Sequence, residues 1–483
     1  MAAEILAWTI AHRVLALTTL VAASLLQPAH FDTSAQLLLS LDATSPSGRG
    51  RWLTRVACAL TRWDTIHFLG VASPRPLPLP RGLVHDRGWH VADKQGTAAG
   101  GGLQHEHSLA WQPGIVWLLR LAGYRSFDGL LQSWSPVQAV LLVSLLATAA
   151  SCLLPVLLYR LTLMHTRNKA LARTAAYLSI LSTSPSTLIT PTPEPFFALF
   201  TLLGHLSLES VSPLAAALFY AIATAFRANG IMLAGFLVWK LVWARLHAAA
   251  AAKTTNSSLA AEMVFRIAVA TPLAVAITLS PFILGQTWAY MRFCLDDGAA
   301  AARPWCNRAL PLSYTFVQRE YWDVAPFRYW TVAQLPNFLL AAPVLALSLR
   351  FCSQYYATDP RAVLHLTLRP WRALAAPRTQ KRAQPKEDSE TSEGVSVTTT
   401  PSLLPHAHFT LLTTALLIVS SHVQIALRFA SPGGLPAVWW AAADVLLSTK
   451  GHGGERAKRW LIGYLVIWNV VSLVLYAGFY PPA

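Results

Sequence analysis

The sequence predicts an α-helical polytopic membrane protein, and three observations carry that expectation. Of 483 residues, 54% are apolar and only 12% are charged, against roughly 25% charged residues in soluble domains. Apolar runs recur along the chain at the length of about 20 residues that a helix needs to cross a hydrocarbon core. Lys and Arg collect between those runs, as the bias of basic residues towards the cytosolic side requires. Backbone facing lipid must satisfy its own hydrogen bonds, so the spans are expected as helices.

The totals also exclude other classes. A net charge of +16 is elsewhere a footprint of nucleic-acid binding. Here no zinc-finger or RNA-recognition motif accompanies it and the basic residues lie between spans, so no nucleic-acid partner is expected. Five cysteines are too few for a disulfide scaffold. Cys294 and Cys306 share one loop; they pair if that loop faces an oxidising lumen and stay free thiols otherwise. Neither a G-x-S-x-G nor a phosphate-loop motif occurs, so ATP-driven pumping is not expected.

Taken in order, the first span covers 5–27. It is expected to be retained, because Glu4, His12 and Arg13 break the pattern of a cleaved signal. Residues 28–134 follow, with amphipathic stretches at 52–60 and 107–123 that suit the membrane interface, and a Pro-rich then Gly-rich insert at 74–102 expected in solvent. The next span is 135–159, and its connector carries Arg160, His165, Arg167, Lys169 and Arg173 without an acid. That connector marks the cytosol and puts 28–134 on the lumenal side.

Spans at 174–190 and 195–209 flank Thr190-Pro191-Thr192-Pro193-Glu194-Pro195, and spans at 211–226 and 231–246 meet at Arg227-Ala228-Asn229-Gly230. Alternation makes both junctions lumenal. The sequon at Asn256 then falls in the cytosol, where it is expected to go unused. A span at 264–285, a lumenal loop at 286–330 and a span at 331–351 follow. Residues 352–407 are basic, Ser/Thr-rich near 387–402, and expected to be cytosolic and partly disordered. Spans at 408–427, 435–448 and 460–478 complete a count of eleven, within bounds of about 9–13 transmembrane helices. The organisation is therefore 1–351 with catalytic lumenal loops 28–134 and 286–330, a cytosolic 352–407, and C-terminal helices in 408–483.

The lumenal side collects the residues able to do chemistry. In Arg62-Trp63-Asp64-Thr65-Ile66-His67-Phe68 a carboxylate, a guanidinium, an indole and an imidazole crowd together just past the first span. Asp64 suits a proton acceptor, and equally a helix cap or one half of an Arg62 ion pair. Glu106 between His105 and His107 resembles a metal set but lacks the usual ligand spacing, so no metal is expected. Glu194 reads as a site carboxylate or a helix cap. Arg227, beside Asn229, reads as a phosphate contact or a snorkelling cation. Gln318, Tyr321, Trp322 and Arg328 read as a binding surface or an interfacial belt. Arg428 reads as a phosphate contact or an anchor for its span.

Read together, several blocks resemble one family. They are Arg62-Trp63-Asp64-x-x-His67-Phe68, Glu106-His107-x-x-Ala110-x-x-Pro113, Phe226-Arg227-x-Asn229-Gly230, Pro304-Trp305-Cys306, Tyr314-x-Phe316-x-Gln318-x-x-Tyr321-Trp322-x-Val324, Arg328-Tyr329-Trp330, the run from Gln334 to Pro343, and Arg428-Phe429. The chain is similar in these to GPI mannosyltransferase II, the PIG-V family. The resemblance implies a GT-C glycosyltransferase fold in the endoplasmic reticulum membrane with its active site in the lumen. It implies transfer of mannose from dolichyl-phosphate mannose to the first mannose of a GPI-anchor precursor, in α-1,6 linkage and with inversion. The first-loop acid, Asp64, takes the role of base in this scheme. Arg62, Trp63, His67, Glu106, His107, Glu194, Arg227, Asn229, Gln318, Tyr321, Trp322, Arg328 and Arg428 become candidates for substrate binding. No cofactor is implied, and a small membrane partner subunit fits the family.

Physical chemistry points the same way. A sugar on a lipid phosphate already carries a good leaving group, so the enzyme needs a base near the acceptor hydroxyl and cations near the departing phosphate. Arginine matches phosphate in a bidentate way. A transporter would show internal repeats and mid-span charges instead, and a non-catalytic subunit would have little use for the set Asp64, Glu106, Arg227 and Gln318.

Overall fold

The computed structural model describes residues 1–27, 35, 39, 48–73, 106–127, 130–210, 212–252, 257–295, 303–368, 400–448 and 451–480. The insert at 74–102, the sequon residue Asn256 and nearly all of 387–402 lie outside them. The described helices are α1 (Ala2–Leu26), α2 (Gly48–Leu60), α3 (Asp64–Ala72), α4 (Gly114–Gly123), α5 (Pro136–Thr166), α6 (Lys169–Ile180), α7 (Glu194–Ser210), α8 (Pro213–Phe226) and α9 (Ala228–Ala249). Then come α10 (Ser258–Leu295), α11 (Ser313–Glu320), α12 (Val332–Thr358), α13 (Pro360–Leu368), α14 (Leu404–Val419), α15 (Ala426–Phe429), α16 (Pro436–Leu447) and α17 (Gly451–Ala477). A small antiparallel hairpin, β1 (Tyr124–Phe127) with β2 (Leu130–Trp134), joins α4 to α5 and pairs Tyr124 with Trp134.

This is a polytopic helical membrane protein. Among the described residues six helices, α1, α5, α9, α10, α12 and α17, are long and apolar enough to cross a membrane, and α8, α14 and α16 are shorter apolar helices. Local chemistry sets their ends. Ser135 caps α5 by accepting from the Gln138 N–H at 3.2 Å, with Pro136 in the first turn. Arg167, at φ 54°, stops α5 in the left-handed region, and Asn168 starts α6 by accepting from the Leu171 N–H at 2.9 Å. The helices pack as neighbouring pairs: α1 with α5 and α17, α5 with α6 and α7, α7 with α8, α8 with α10, and α6 with α16. Small side chains such as Ala216, Ala217 and Ala223 lie fully buried in α8, where they let backbones approach closely.

Two expected spans are not continuous helices: the run at 408–427 is helical to Val419, breaks over 420–422 and resumes in a short turn at Val423–Ile425, and the run at 174–190 is the second. The apolar run at 174–190 is helical only to Ile180, and the chain then turns irregularly through a buried stretch to Pro193. Pro185, Pro191 and Pro193 offer no N–H, and Ser and Thr side chains there bond to nearby backbone instead of to solvent. Thr187 donates to the Ser184 carbonyl at 2.9 Å, Thr190 to Ser186 at 2.9 Å and Thr192 to Thr187 at 2.6 Å. Distant spans satisfy three further carbonyls. Arg13 of α1 donates to Ile180 at 3.1 Å, while Asn469 and Trp468 of α17 donate to Ser182 at 3.0 Å and Thr183 at 2.8 Å. Non-helical backbone is tolerated at membrane depth only where protein buries and satisfies it. The Thr183 hydroxyl in turn donates to the Leu427 carbonyl at 2.7 Å, so this break holds both Glu194, at its end, and the turn that bears Arg428.

Candidate active site

Asp64 opens α3, where the helix N-terminus favours a carboxylate. Trp63, just before it, sits at φ 52°. For a bulky residue the left-handed region costs of order 1–3 kcal/mol, and here it redirects the chain between α2 and α3. The inner face of α3 buries Phe68, Leu69 and Ala72, which leaves His67 exposed. The Asp64 side chain is 39% exposed.

Glu194 is the first residue of α7, between two prolines, and is 2% exposed. Arg227 follows α8 in extended conformation, and the Gly230 N–H donates back to its carbonyl at 2.9 Å. Only glycine fits that return: a Cβ at Gly230 would lie 2.6 Å from the Thr224 Cα. Arg428 sits on α15, and the loop after it presses on α7, since a Cβ at Gly433 would lie 2.6 Å from the Ala198 Cα. The turn bearing Arg428 is thereby fixed to the helix bearing Glu194.

These four side chains converge. Arg428 Nη1 donates to Asp64 Oδ2 at 2.6 Å and lies 3.8 Å from Glu194 Oε1. Arg227 Nη1 donates to the same Glu194 oxygen, and Arg227 Nε donates to Asn229 Oδ1 at 3.3 Å. The Arg227 guanidinium also stacks over the Phe429 ring, 4.7 Å from its centroid. Two carboxylates thus balance two guanidiniums. Burial pushes the Asp64 carboxyl up, but Arg428, His67 and Arg227 together pull it further down, so it is held below its ordinary value. Burial pulls Arg428 down, and Asp64 and Glu194 more than reverse that.

An aromatic shelf adjoins the carboxylate. Trp111 lies 5.1 Å from His67, edge-on to Phe68 at 5.4 Å, and 5.5 Å from Trp322. His422, stacked on Tyr329 at 4.8 Å, shares a hydrogen bond with the Trp322 carbonyl at 2.7 Å. The loop carrying Trp322 is anchored by a Cys294–Cys306 disulfide and by Trp305, which is fully buried. Trp111 and His422 were not among the residues singled out from the sequence. For Trp111 a signal existed, in the gap between Ala110 and Pro113; a lone histidine inside the expected span 408–427 gave none.

Other candidates are placed elsewhere. Arg62 is 2% exposed and turned to the C-terminal end of the bundle: it donates to the Ala477 carbonyl at 3.3 Å and the Ser24 hydroxyl at 3.0 Å, and stacks on Phe479. The alternative of an Arg62–Asp64 ion pair is replaced by Arg428–Asp64. Arg328 pairs with Asp323 at the surface, with both side chains more than half exposed. Gln318 is half-buried on α11 and Tyr321 is 39% exposed just beyond it. Trp63 is half-buried against the main core. The Glu106 and His107 side chains lie outside the described residues.

Comparison with known proteins places the chain in a family. The family profile described as Mannosyltransferase (PIG-V) matches residues 87–483. GPI mannosyltransferase 2 of Cryptococcus neoformans var. neoformans serotype D is 30% identical over 98% of this chain and 96% of its own length. The chain belongs to the PIG-V mannosyltransferase family. It is therefore a glycosyltransferase. Among further PIG-V relatives, GPI alpha-1,6-mannosyltransferase 2 of Cricetulus griseus is 28% identical over 87% of each chain. Among solved structures, the archaeal oligosaccharyltransferase AglB from Archaeoglobus fulgidus, in complex with an inhibitory peptide and a dolichol-phosphate, is similar at TM-score 0.41 and 12% identity. That similarity covers 96% of this chain and 56% of AglB. At that level it carries no argument about the PIG-V chain.

Proposed function

We propose that this PIG-V member, a GT-C glycosyltransferase, transfers mannose from dolichyl-phosphate mannose to the first mannose of a GPI-anchor precursor, in α-1,6 linkage, on the lumenal side of the endoplasmic reticulum membrane. Its relatives carry the acceptor and linkage in their names: GPI mannosyltransferase 2 and GPI alpha-1,6-mannosyltransferase 2. The observation that supports the chemistry most is the half-exposed Asp64 carboxylate beside the largely covered Arg428 and Arg227 guanidiniums.

In this scheme an acceptor sugar hydroxyl attacks C1 of the donor mannose. The C1–O bond to the phosphate breaks, its electron pair leaves on the phosphate oxygen, and the hydroxyl proton passes to Asp64. One displacement inverts the anomeric centre, from β-phosphate to α-mannoside. Fixed guanidiniums stabilise the charge that develops on the leaving phosphate. Asn229, whose amide Nδ2 is buried without a hydrogen-bond partner among the described residues, has a donor for a sugar hydroxyl. Trp111 and Trp322 supply flat surface for a sugar face.

The test is rescue of a cell that lacks surface GPI-anchored proteins, wild type against Asp64→Asn. Wild type restores surface display and the variant does not; equal rescue by both removes Asp64 from the role of base.

A further inference from the structure

Arg428 stands between two carboxylates that are not equivalent. Its contact with Asp64 is a full hydrogen bond at 2.6 Å, while its 3.8 Å approach to Glu194 is beyond hydrogen-bonding distance. Asp64 is 39% exposed, so that link lies at the open edge of the cluster; Glu194, 2% exposed, lies at its back. Glu194 Oε2 is buried and has no hydrogen-bond partner among the described residues. Arg227 is engaged with Glu194, Asn229 and the Phe429 ring. Arg428 is thus the guanidinium of the pair that bridges from the buried carboxylate to the open one.

A carboxylate gripped by a guanidinium is a poor proton acceptor, because the ion pair favours its ionised form. The pair seen here therefore restrains Asp64 as a base. We infer that the lipid-linked phosphate of the donor competes with Asp64 for Arg428, so that the base is released only when a leaving group is in place. This rests on the reading of donor and base given above. When Arg428 turns to phosphate, Glu194 Oε1 and Oε2 remain to balance it, so no buried cation is left without a partner. Asp64 is then left half-buried with His67 and Arg227 near it but without its hydrogen-bonded guanidinium, so burial weighs more and its affinity for the proton it must take rises. The same turn puts Arg428 where negative charge develops as the C1–O bond breaks and its electron pair moves to the phosphate. Transfer to the acceptor is thereby coupled to donor occupancy, and Asp64 stays paired until a donor arrives.

The competition predicts that removing the carboxylate improves phosphate binding. The experiment measures binding of a short-chain polyprenyl monophosphate, the leaving group alone, to the full-length enzyme in lipid nanodiscs, with phosphatidylinositol as a second probe because the acceptor also carries a phosphodiester. Asp64→Asn is expected to bind the prenyl phosphate at least about fivefold more tightly than wild type, in line with release of one charge-assisted contact. Arg428→Gln is expected to bind it at least about tenfold more weakly, and the double variant no more tightly than Arg428→Gln. Unchanged or weaker prenyl phosphate binding by Asp64→Asn overturns the proposal. Tightening confined to phosphatidylinositol also overturns it, by assigning the competing phosphate to the acceptor. Asp64→Ser, which also lacks the charge, serves if the asparagine variant does not fold. The base role is read separately, by mannose transfer: an inactive Asp64→Asn with unchanged binding defeats the competition alone, and an active one with tightened binding defeats the base role alone.

Discussion

The Arg428 guanidinium donates to the Asp64 carboxylate at 2.6 Å across a separation of 364 positions in the chain. One partner opens a helix just past the first span and the other sits in a turn near the end of the chain. Their contact closes the candidate site, and its electrostatics can be tested through pH.

Asp64 is pushed up by burial and pulled further down by Arg428, His67 and Arg227. A folded-state value below the unfolded one of about 4 gives stability that is present at neutral pH and lost only as pH falls through the folded value. Arg428→Gln removes the strongest opposing charge but leaves burial with His67 and Arg227, so the folded value rises and the stability that ionised Asp64 contributes at neutral pH shrinks. Thermal unfolding in detergent from about pH 7 down to about pH 3 is expected to show a wild-type midpoint that falls towards acid and a shallower fall for Arg428→Gln from a lower neutral-pH midpoint.

Glu194 serves two guanidiniums from a position 2% exposed. Glu194→Gln leaves the mostly buried Arg227 and Arg428 with Asp64 as the carboxylate between them among the described residues. Breaking a buried ion pair from one side costs roughly 3–5 kcal/mol. A marked fall in thermal midpoint, with loss of transfer, is the expected outcome, and a midpoint equal to wild type contradicts it.

How much of this was legible in the sequence depends on range. The spans were readable because about 20 apolar residues in a row have one main physical explanation, and each expected span contains a helix, from Ala2–Leu26 to Gly451–Ala477. The helix break after Ile180 was misread as span, because its Ser, Thr and Leu content keeps the run apolar enough while the partners that stabilise a break, Arg13, Trp468 and Asn469, lie on other helices. The hairpin at Tyr124–Trp134 was missed because its pairing is local backbone geometry without an alternating apolar pattern. In the site, Asp64, Glu194, Arg227 and Arg428 each stood out as charges near span ends, but their pairing is set by packing between distant helices. Arg62 looked like a site residue because it is two positions from Asp64; the left-handed turn at Trp63 lies between the two, and they serve different contacts.

Arg62 therefore makes a structural prediction. Its guanidinium holds the C-terminal end of α17 through Ala477, reaches Ser24 of α1, and lies 4.4 Å from the Phe479 ring centroid. Arg62→Ala is expected to lose roughly 2–3 kcal/mol of stability, the scale of hydrogen bonds to a buried charge, with KM for the donor unchanged in the enzyme that remains folded. A raised KM at wild-type stability contradicts this placement.

The arginines also divide by position. Arg227 is 13% exposed and joined to Glu194, whereas Arg319 is 59% exposed and 3.6 Å from Glu320. Exposed pairs contribute about 0–1 kcal/mol, while loss of a fixed donor to developing charge costs about 100-fold or more in rate. Arg227→Ala is expected to cut mannose transfer on that larger scale and Arg319→Ala to leave it within about twofold of wild type. Equal losses in the two variants contradict the assignment.

The central claim is that the carboxylate at position 64 takes the proton of the acceptor hydroxyl. Its most direct test is the initial rate of mannose transfer from a lipid-phosphate mannose donor by purified Asp64→Asn enzyme, at saturating donor and acceptor and normalised to folded protein. Loss of a positioned general base predicts a fall of about 100- to 10,000-fold; a rate equal to wild type contradicts the claim.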